Sequence, residues 1–346
     1  MSCRVLIVGC GGIGGVLTAT WCDIPGFRVE TVTRNRDLVR HVEMHGLRCV
    51  RGRRSWSAKP SLVCNLGEAQ YDLIVLTTQP TDVVEAAQTY YPRLSAAGEL
   101  VVLQNGLCEA RVAAALGTHA GIVGGVVAWG ARTHTLGVVE QTSEGAVVFG
   151  RLDGQPVGQR DALVKLFEQI ATVGFTDNLL GTRWSKLIIN SVVSSLGTVN
   201  GTQLGEVVRS VQGRRVGLKI LSEGVAVANA HGISLEPIAG TIDLNALAQP
   251  LSGERPRFWK NIYAHLVLCI VGFKYRKLYS SMLRALESGR APAIDFLNGE
   301  LVDAGHRAGI ATPVNQAVCE LVHAFAAGDE APGYAHISAL VNPVVE

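Results

Sequence analysis

From its amino terminus the chain alternates short apolar runs with amphipathic stretches. "CRVLIVG" (3–9), "FRVETVT" (27–33), "YDLIVLTT" (71–78) and "ELVVLQ" (99–104) are too short for helices and rich in β-favouring residues, which predicts strands. Between them, apolar positions recur with helical spacing near 12–22, 37–45, 80–90 and 108–116. Two further strand-like runs follow, "GIVGGVVAWGAR" (121–132) and "GAVVFG" (145–150). This alternation predicts a parallel sheet with crossover helices. After Arg151 the texture changes to long helical patterns with few strand signals, and "LDGQPVGQ" (152–159) has the glycine and proline content of a turn or linker. The expected organisation is α/β, with a parallel-sheet domain over 1–175 and an all-helical domain over 176–346.

One helical stretch breaks its own pattern. In "WSKLIINSVVSS" (184–195), Lys186, Asn190 and Ser194 recur at intervals of four among Trp, Leu, Ile and Val. In a helix that spacing stacks the three on one stripe. A helix apolar over most of its remaining circumference is buried, so the stripe is expected to line an internal cleft.

Composition narrows the partners. At 346 residues, 48% hydrophobic and 17% charged, the chain has material for two cores. Its 31 basic and 29 acidic residues leave a net charge of +2, too balanced for a nucleic-acid or anionic-membrane surface. A small-molecule partner is expected, with a homodimer as a possible assembly. The eight cysteines include no C-x-x-C pair or metal-like cluster, and read as thiols in a reducing cytosol. The run "VLIVG" is too short for a signal sequence, and "LVLCIVGF" (266–273) is too short to span a bilayer, so a soluble cytoplasmic protein is expected. His41 and His45 lack a third partner and predict no metal, while "RCVRGRR" (48–54) reads as a turn and strand edge.

The first strand runs into "GCGGIG", in which Gly9, Gly11 and Gly14 stand in the order G-x-G-x-x-G, with Cys10, Gly12 and Ile13 between them. After a strand and before a helix, such glycines make a tight turn, let backbone approach a pyrophosphate, and allow helix and strand to pack closely. A dinucleotide is therefore expected at the helix N-terminus. At the end of the second strand, "TRNR" offers Arg34 and Arg36 where NAD sites commonly offer an acid. Guanidinium groups suit a 2′-phosphate, which favours NADP(H).

Other polar groups fall where a cleft is expected. Thr78 and Gln79 end the third main strand and Asn105 the fourth, at the carboxyl edge where open α/β sheets bind ligands. Further on, "YSSML" offers Ser280 and Ser281, and "AIDFLNG" offers Asp295 and Asn298 a helical turn apart. Lysine in a pocket has a use beside a dinucleotide. A ketone accepting hydride gains negative charge on oxygen, and partial burial brings an ammonium group toward the range of a general acid. Asn190 and Ser194 can orient substrate as donors and acceptors.

Together "GCGGIG", the arginine after the second strand, "QNG" (104–106), "WSKLIINSVV" (184–193), "SSML" (280–283) and "AIDFLNGELVDAGHRAGIATPVN" (293–315) resemble the ketopantoate reductase family along nearly the whole chain. The resemblance implies a Rossmann domain followed by a helical domain, and NADPH-dependent reduction of 2-dehydropantoate to pantoate in pantothenate biosynthesis. It implies Lys186 as general acid, Asn190 and Ser281 as substrate-binding residues, and Asn105 beside nicotinamide and substrate. Three positions depart from the family: its lysine at the third strand end is Gln79, the second asparagine of the helix is Ser194, and the acid before "IDxxNG" that binds the substrate hydroxyl is Ala293. Asp295 is expected about 200° round that helix from Ala293. The hydride machinery is thus expected to be kept and the grip on a substrate hydroxyl altered. A noncatalytic NADPH sensor and a related dehydrogenase acting on another ketone or an imine are the competing readings. The stretch 238–279 looks longer than the family's connection and suits a subunit interface, a pocket wall or a plain packed helix.

Overall fold

The apolar runs of the first half become neighbouring strands. The computed structural model describes residues 2–237, 243–248, 258–274, 276 and 278–341, and the chain divides into two units, Met1–Leu179 and Leu180–Glu346. In order, the first unit contains β1 (Cys3–Val8), α1 (Gly12–Trp21), β2 (Phe27–Val32), α2 (Arg36–His45), β3 (Leu47–Arg51), β4 (Arg54–Ala58), β5 (Ser61–Val63) and β6 (Tyr71–Leu76). It continues with α3 (Val83–Tyr90), β7 (Leu94–Val102), α4 (Cys108–Leu116), β8 (Ile122–Val127), β9 (Ala131–Thr135), β10 (Val138–Gln141), β11 (Ala146–Gly150), α5 (Arg160–Phe167) and β12 (Thr172–Phe175).

The main sheet has the order β12-β11-β8-β7-β6-β1-β2-β5. From β5 to β8 every pairing is parallel; β11 runs antiparallel to β8 and parallel to β12. Its centre is apolar on both faces, as parallel sheets covered by helices are: Val5, Leu6 and Ile7 pair with Leu73, Ile74 and Val75, and all six are fully buried. Because β2, β1, β6 and β7 are parallel neighbours, the loops after them share one edge of the sheet.

Alternation alone does not reveal a second sheet, β4-β3-β10-β9. The run 121–132, read as one strand, is two strands in different sheets, parted near Gly130, whose N–H donates to the Ser143 hydroxyl. The basic "RCVRGRR" becomes a hairpin turning at Gly52, where φ is +57°. The fourth main strand starts at Leu94, earlier than its apolar end suggests. The small sheet covers the outer side of α1. Added Cβ atoms on Gly12 and Gly15 would lie 2.8 Å from the Ala131 carbonyl oxygen and 2.5 Å from Val139 Cγ1. The Trp56 indole N–H donates to the Ala19 carbonyl at 3.1 Å. The glycine-rich turn at 152–159 is held by the buried Glu99, which accepts the N–H groups of Gly158 and Gln159 at 2.8 and 2.9 Å.

In the second unit the described regular elements are helices: α6 (Leu179–Asn200, beginning at the division), α7 (Leu204–Arg209), α8 (Val211–Ala230), α9 (Leu244–Ala248), α10 (Phe258–Lys274), α11 (Ser281–Glu287), α12 (Asn298–Ala308), α13 (Pro313–Ala327) and α14 (Tyr334–Ala339). Helix α8 packs against α7, α9, α10, α12, α13 and α14. Within the 238–279 stretch, residues 238–242, 249–257, 275 and 277 lie outside the described residues.

Helix α6 approaches α8 across glycine. A Cβ on Gly217 would lie 3.2 Å from both Val192 and Leu196, and one on Gly224 would lie 2.9 Å from Ile188. The row Ile188, Val192, Leu196 is therefore the face pressed on α8. Two positions along a helix is a rotation of about 200°, so the row Lys186, Asn190, Ser194 points away from α8.

Candidate functional site

The glycine turn is shaped by Thr77, a residue that motif reading passes over. Its hydroxyl donates toward the carbonyl oxygens of Val8 and Gly9, at 2.9 and 3.0 Å. Gly9 has φ +100°, a backbone that favours glycine. A Cβ on Gly14 would stand 2.2 Å from the Gly9 oxygen, whereas one on Gly11 would meet nothing within 4 Å. Gly14 thus permits close packing, and Gly11 leaves its outer side open. No side chain caps the N-terminus of α1, so its first N–H groups are available to an anion.

A cavity of about 270 Å³ lies beside this turn, with Cys10, Gly11, Thr33, Asn35, Leu38 and Leu136 among its lining residues. Burial pushes the Cys10 thiol up to about 11, opposed by a hydrogen bond with Thr18, so the loop presents backbone rather than a thiolate. An uncapped helix start, an open glycine and an adjoining cavity fit a dinucleotide pyrophosphate and its adenosine half.

The other residues expected in the first unit gather at the same sheet edge. Arg34 follows β2 and is exposed, its guanidinium 3.0 Å from Asp82 and 3.8 Å from Glu85. Asn35 caps α2, its side-chain oxygen accepting the Leu38 N–H at 2.9 Å. Thr78 follows β6 and is held by the buried Gln104, whose amide donates to its carbonyl and hydroxyl oxygens at 3.1 and 3.2 Å. Gln79 is exposed just before α3, and Asn105 is exposed after β7. Asp82, Glu85 and Gln104 were legible only as polar residues near strand ends.

In the second unit, α6 from 181 to 199 is buried except at 182, 186, 189, 190, 193 and 194. Lys186, Asn190 and Ser194 therefore lie on its one partly exposed stripe, joined by Thr182, Ile189 and Val193. Off that stripe, Ser195 serves the helix, donating to the Ser191 carbonyl. Ser280 is structural. It is buried, its hydroxyl shares a 2.7 Å hydrogen bond with Thr198 of α6, and it accepts the Met282 and Leu283 N–H groups at the start of α11. Ser281 beside it is exposed.

Two readings of the "AIDFLNG" segment are corrected. Ala293, Asp295 and Asn298 do not share a helix: Ile294–Phe296 is a single 3-10 turn, and the backbone breaks at Leu297 before α12 begins. Ala293 stands before that turn as its cap, with non-helical backbone, so the α-helical rotation expected between Ala293 and Asp295 does not apply. Asp295 instead faces His323, with Oδ1 2.9 Å from Nε2. Asn298 is completely buried and donates to the Ser191 carbonyl at 3.3 Å and to Asn315 Oδ1 at 2.9 Å. Asn315 in turn donates to Glu223 at 2.7 Å, and Glu223 accepts the N–H groups of Val314 and Asn315 at the start of α13. This network braces α6 from behind.

Among the described residues no group of three or more His, Cys, Asp or Glu could hold a metal ion, and no helix is long and apolar enough to cross a membrane. None of the eight cysteines forms a disulfide.

Comparison with known proteins agrees with this geometry. Residues 5–154 match the family model "Ketopantoate reductase PanE/ApbA", and residues 178–326 match "Ketopantoate reductase PanE/ApbA C terminal". A 2-dehydropantoate 2-reductase of Pyrococcus horikoshii is 23% identical over 331 residues, covering 93% of this chain and 97% of its own. Among solved structures, a PanE/ApbA family ketopantoate reductase from Ralstonia eutropha aligns with a TM-score of 0.75 at 23% identity, over 94% of this chain and 99% of that one. D-mandelate dehydrogenase, in a ternary structure with NADH and anilino(oxo)acetate, aligns with a TM-score of 0.77 at 21% identity over the same shares. The chain belongs to the ketopantoate reductase family.

Proposed function

We propose that this chain is an NADPH-dependent reductase of 2-oxoacids, acting on 2-dehydropantoate or a relative of it, with residues 1–175 holding the cofactor and 176–346 supplying substrate contacts and the proton. The observation that carries the reading is the single partly exposed stripe of α6, which holds Lys186, Asn190 and Ser194 in a helix otherwise buried over 181–199.

The reduced nicotinamide, when bound, supplies hydride to the carbonyl carbon. The backbone of residues 9–14, including Cys10, Gly12 and Ile13, cradles the pyrophosphate, and Arg34 meets the 2′-phosphate. Thr78, Gln79 and Asn105 border the cofactor from the strand ends, Asn105 also meeting substrate. Lys186 donates a proton to the oxygen as it gains charge. Asn190, Ser194 and Ser281 hold the carboxylate and carbonyl in place by hydrogen bonds. Ala293 has no carboxylate to receive a substrate hydroxyl, so discrimination between hydroxylated and plain oxoacids is weak. The same reading places the protein in the cytosol, where its cysteines stay reduced, in pantothenate biosynthesis or a related pathway. It includes a homodimer, for which the exposed row Leu266, Cys269, Ile270 and Phe273 on α10 offers apolar surface.

The test is NADPH oxidation with ketopantoate, pyruvate and bulkier 2-oxoacids, for wild type and Lys186→Ala. Lys186→Ala is expected to lower kcat by about 10²- to 10⁴-fold and leave NADPH affinity intact. Equal turnover in both proteins removes Lys186 from the mechanism. Tight NADPH binding with no turnover on the whole panel favours a noncatalytic cofactor sensor.

A further inference from the structure

We propose that Asp82 and Glu85 set the cofactor selectivity of this chain by competing with the 2′-phosphate of NADPH for the Arg34 guanidinium, so that NADH is accepted alongside NADPH. The inference rests on the reading of the glycine turn as a nicotinamide-dinucleotide site.

Sites selective for NAD commonly place an acid at the end of the second strand, where it meets the ribose hydroxyls. Here that position holds Arg34, but the carboxylates arrive from the neighbouring loop. Strand β6 lies beside β1, which lies beside β2, and the segment after β6 carries Asp82 just before α3 and Glu85 in its first turn. Acids are favoured at a helix start by the unpaired N–H groups there. Asp82 Oδ2 is 3.0 Å from Arg34 Nη2, and Glu85 Oε2 is 3.8 Å from Arg34 Nη1.

All three side chains are well exposed, at 74% for Arg34, 41% for Asp82 and 73% for Glu85. Exposed ion pairs of this kind are weak, so the carboxylates compete for the guanidinium without closing the site. A 2′-phosphate is a strongly anionic group. When it reaches Arg34, either the guanidinium leaves Asp82 or three anionic groups crowd one cation. Both costs fall on NADPH alone. NADH brings hydroxyls to the same place, and a carboxylate can accept hydrogen bonds from them.

The experiment measures dissociation constants for NADPH and NADH by nucleotide fluorescence, alongside kcat/KM for each. The proteins are wild type, Asp82→Asn, Glu85→Gln, Arg34→Ala and the double variant Arg34→Ala/Asp82→Asn. Circular dichroism of each variant confirms its fold. Asp82→Asn is expected to raise the NADPH-to-NADH affinity ratio about threefold to tenfold, with a smaller rise for Glu85→Gln. Arg34→Ala is expected to lower the ratio, and the Asp82→Asn effect is expected to shrink in its background. An unchanged or lower ratio in Asp82→Asn overturns the proposal, as does an undiminished shift without Arg34. A wild type that binds both cofactors but fails these tests overturns this inference alone. A wild type that binds neither overturns the reductase reading with it.

Discussion

The Thr77 hydroxyl lies 3.0 Å from the Gly9 carbonyl oxygen, fastening the end of β6 to the turn between β1 and α1. The same hydroxyl would stand 2.3 Å from a Cβ on Gly14. Helix, turn and neighbouring strand thus meet at a point with no room for a methyl group. Gly14→Ala is expected to destabilise the protein by about 1–3 kcal/mol and to weaken NADPH binding by about tenfold or more, since each tenfold corresponds to only about 1.4 kcal/mol. Thr77→Val, which removes the hydroxyl, is expected to cost about 0.5–1.5 kcal/mol. Thermal melts and cofactor titrations measure both. Wild-type NADPH affinity in Gly14→Ala would contradict the close-packing argument.

The seat of α6 depends on what α8 lacks. A Cβ on Gly224 would lie 2.9 Å from Ile188 Cγ1 and 3.2 Å from Leu301 Cδ1, so Gly224→Ala is expected to cost about 1–3 kcal/mol and to impair kcat by displacing the helix that carries Lys186. Ile188→Ala, which removes both γ carbons that the new methyl group would meet, is expected to cost less stability in the Gly224→Ala protein than in wild type. If Gly224→Ala melts and turns over as wild type does, the two helices have more freedom than the glycine spacing implies.

Glu223 makes stability depend on pH. Burial pushes its carboxyl above the ordinary value, while the N–H groups of Val314 and Asn315, the Asn315 side chain and Lys219 pull it down less strongly. A carboxyl with a raised folded pKa contributes stability in full below its unfolded value, about 4.3, and loses it as pH rises through the folded value. The stability of wild type minus that of Glu223→Gln is therefore expected to fall with rising pH across that window, as read from urea denaturation. A difference that rises with pH would mean that the donors at the start of α13 outweigh burial.

Much of this is legible in the sequence. Strands buried on both faces announce themselves as runs such as Val5–Val8, and the glycine motif has one good structural explanation. The Lys186 stripe stood out because charge on an apolar helix is conspicuous. The small sheet was hidden for the opposite reason: β4 and β9, "RSWSA" and "ARTHT", carry too few apolar residues to show a strand period. Asn298 and Ser280 resemble cleft residues in sequence because a buried polar side chain that bonds within the fold looks there like one awaiting a ligand. Asp82 and Glu85 passed unnoticed because acids at a helix start are commonplace, and only the fold sets them against Arg34.

Helix α1 is gripped from two sides, by the main sheet beneath and by β3, β9 and β10 above. An element so clamped has little freedom to tilt or slide when a ligand arrives. The glycine turn at its tip is thus rigid in advance, and under the proposed function association with a dinucleotide loses little to ordering the protein.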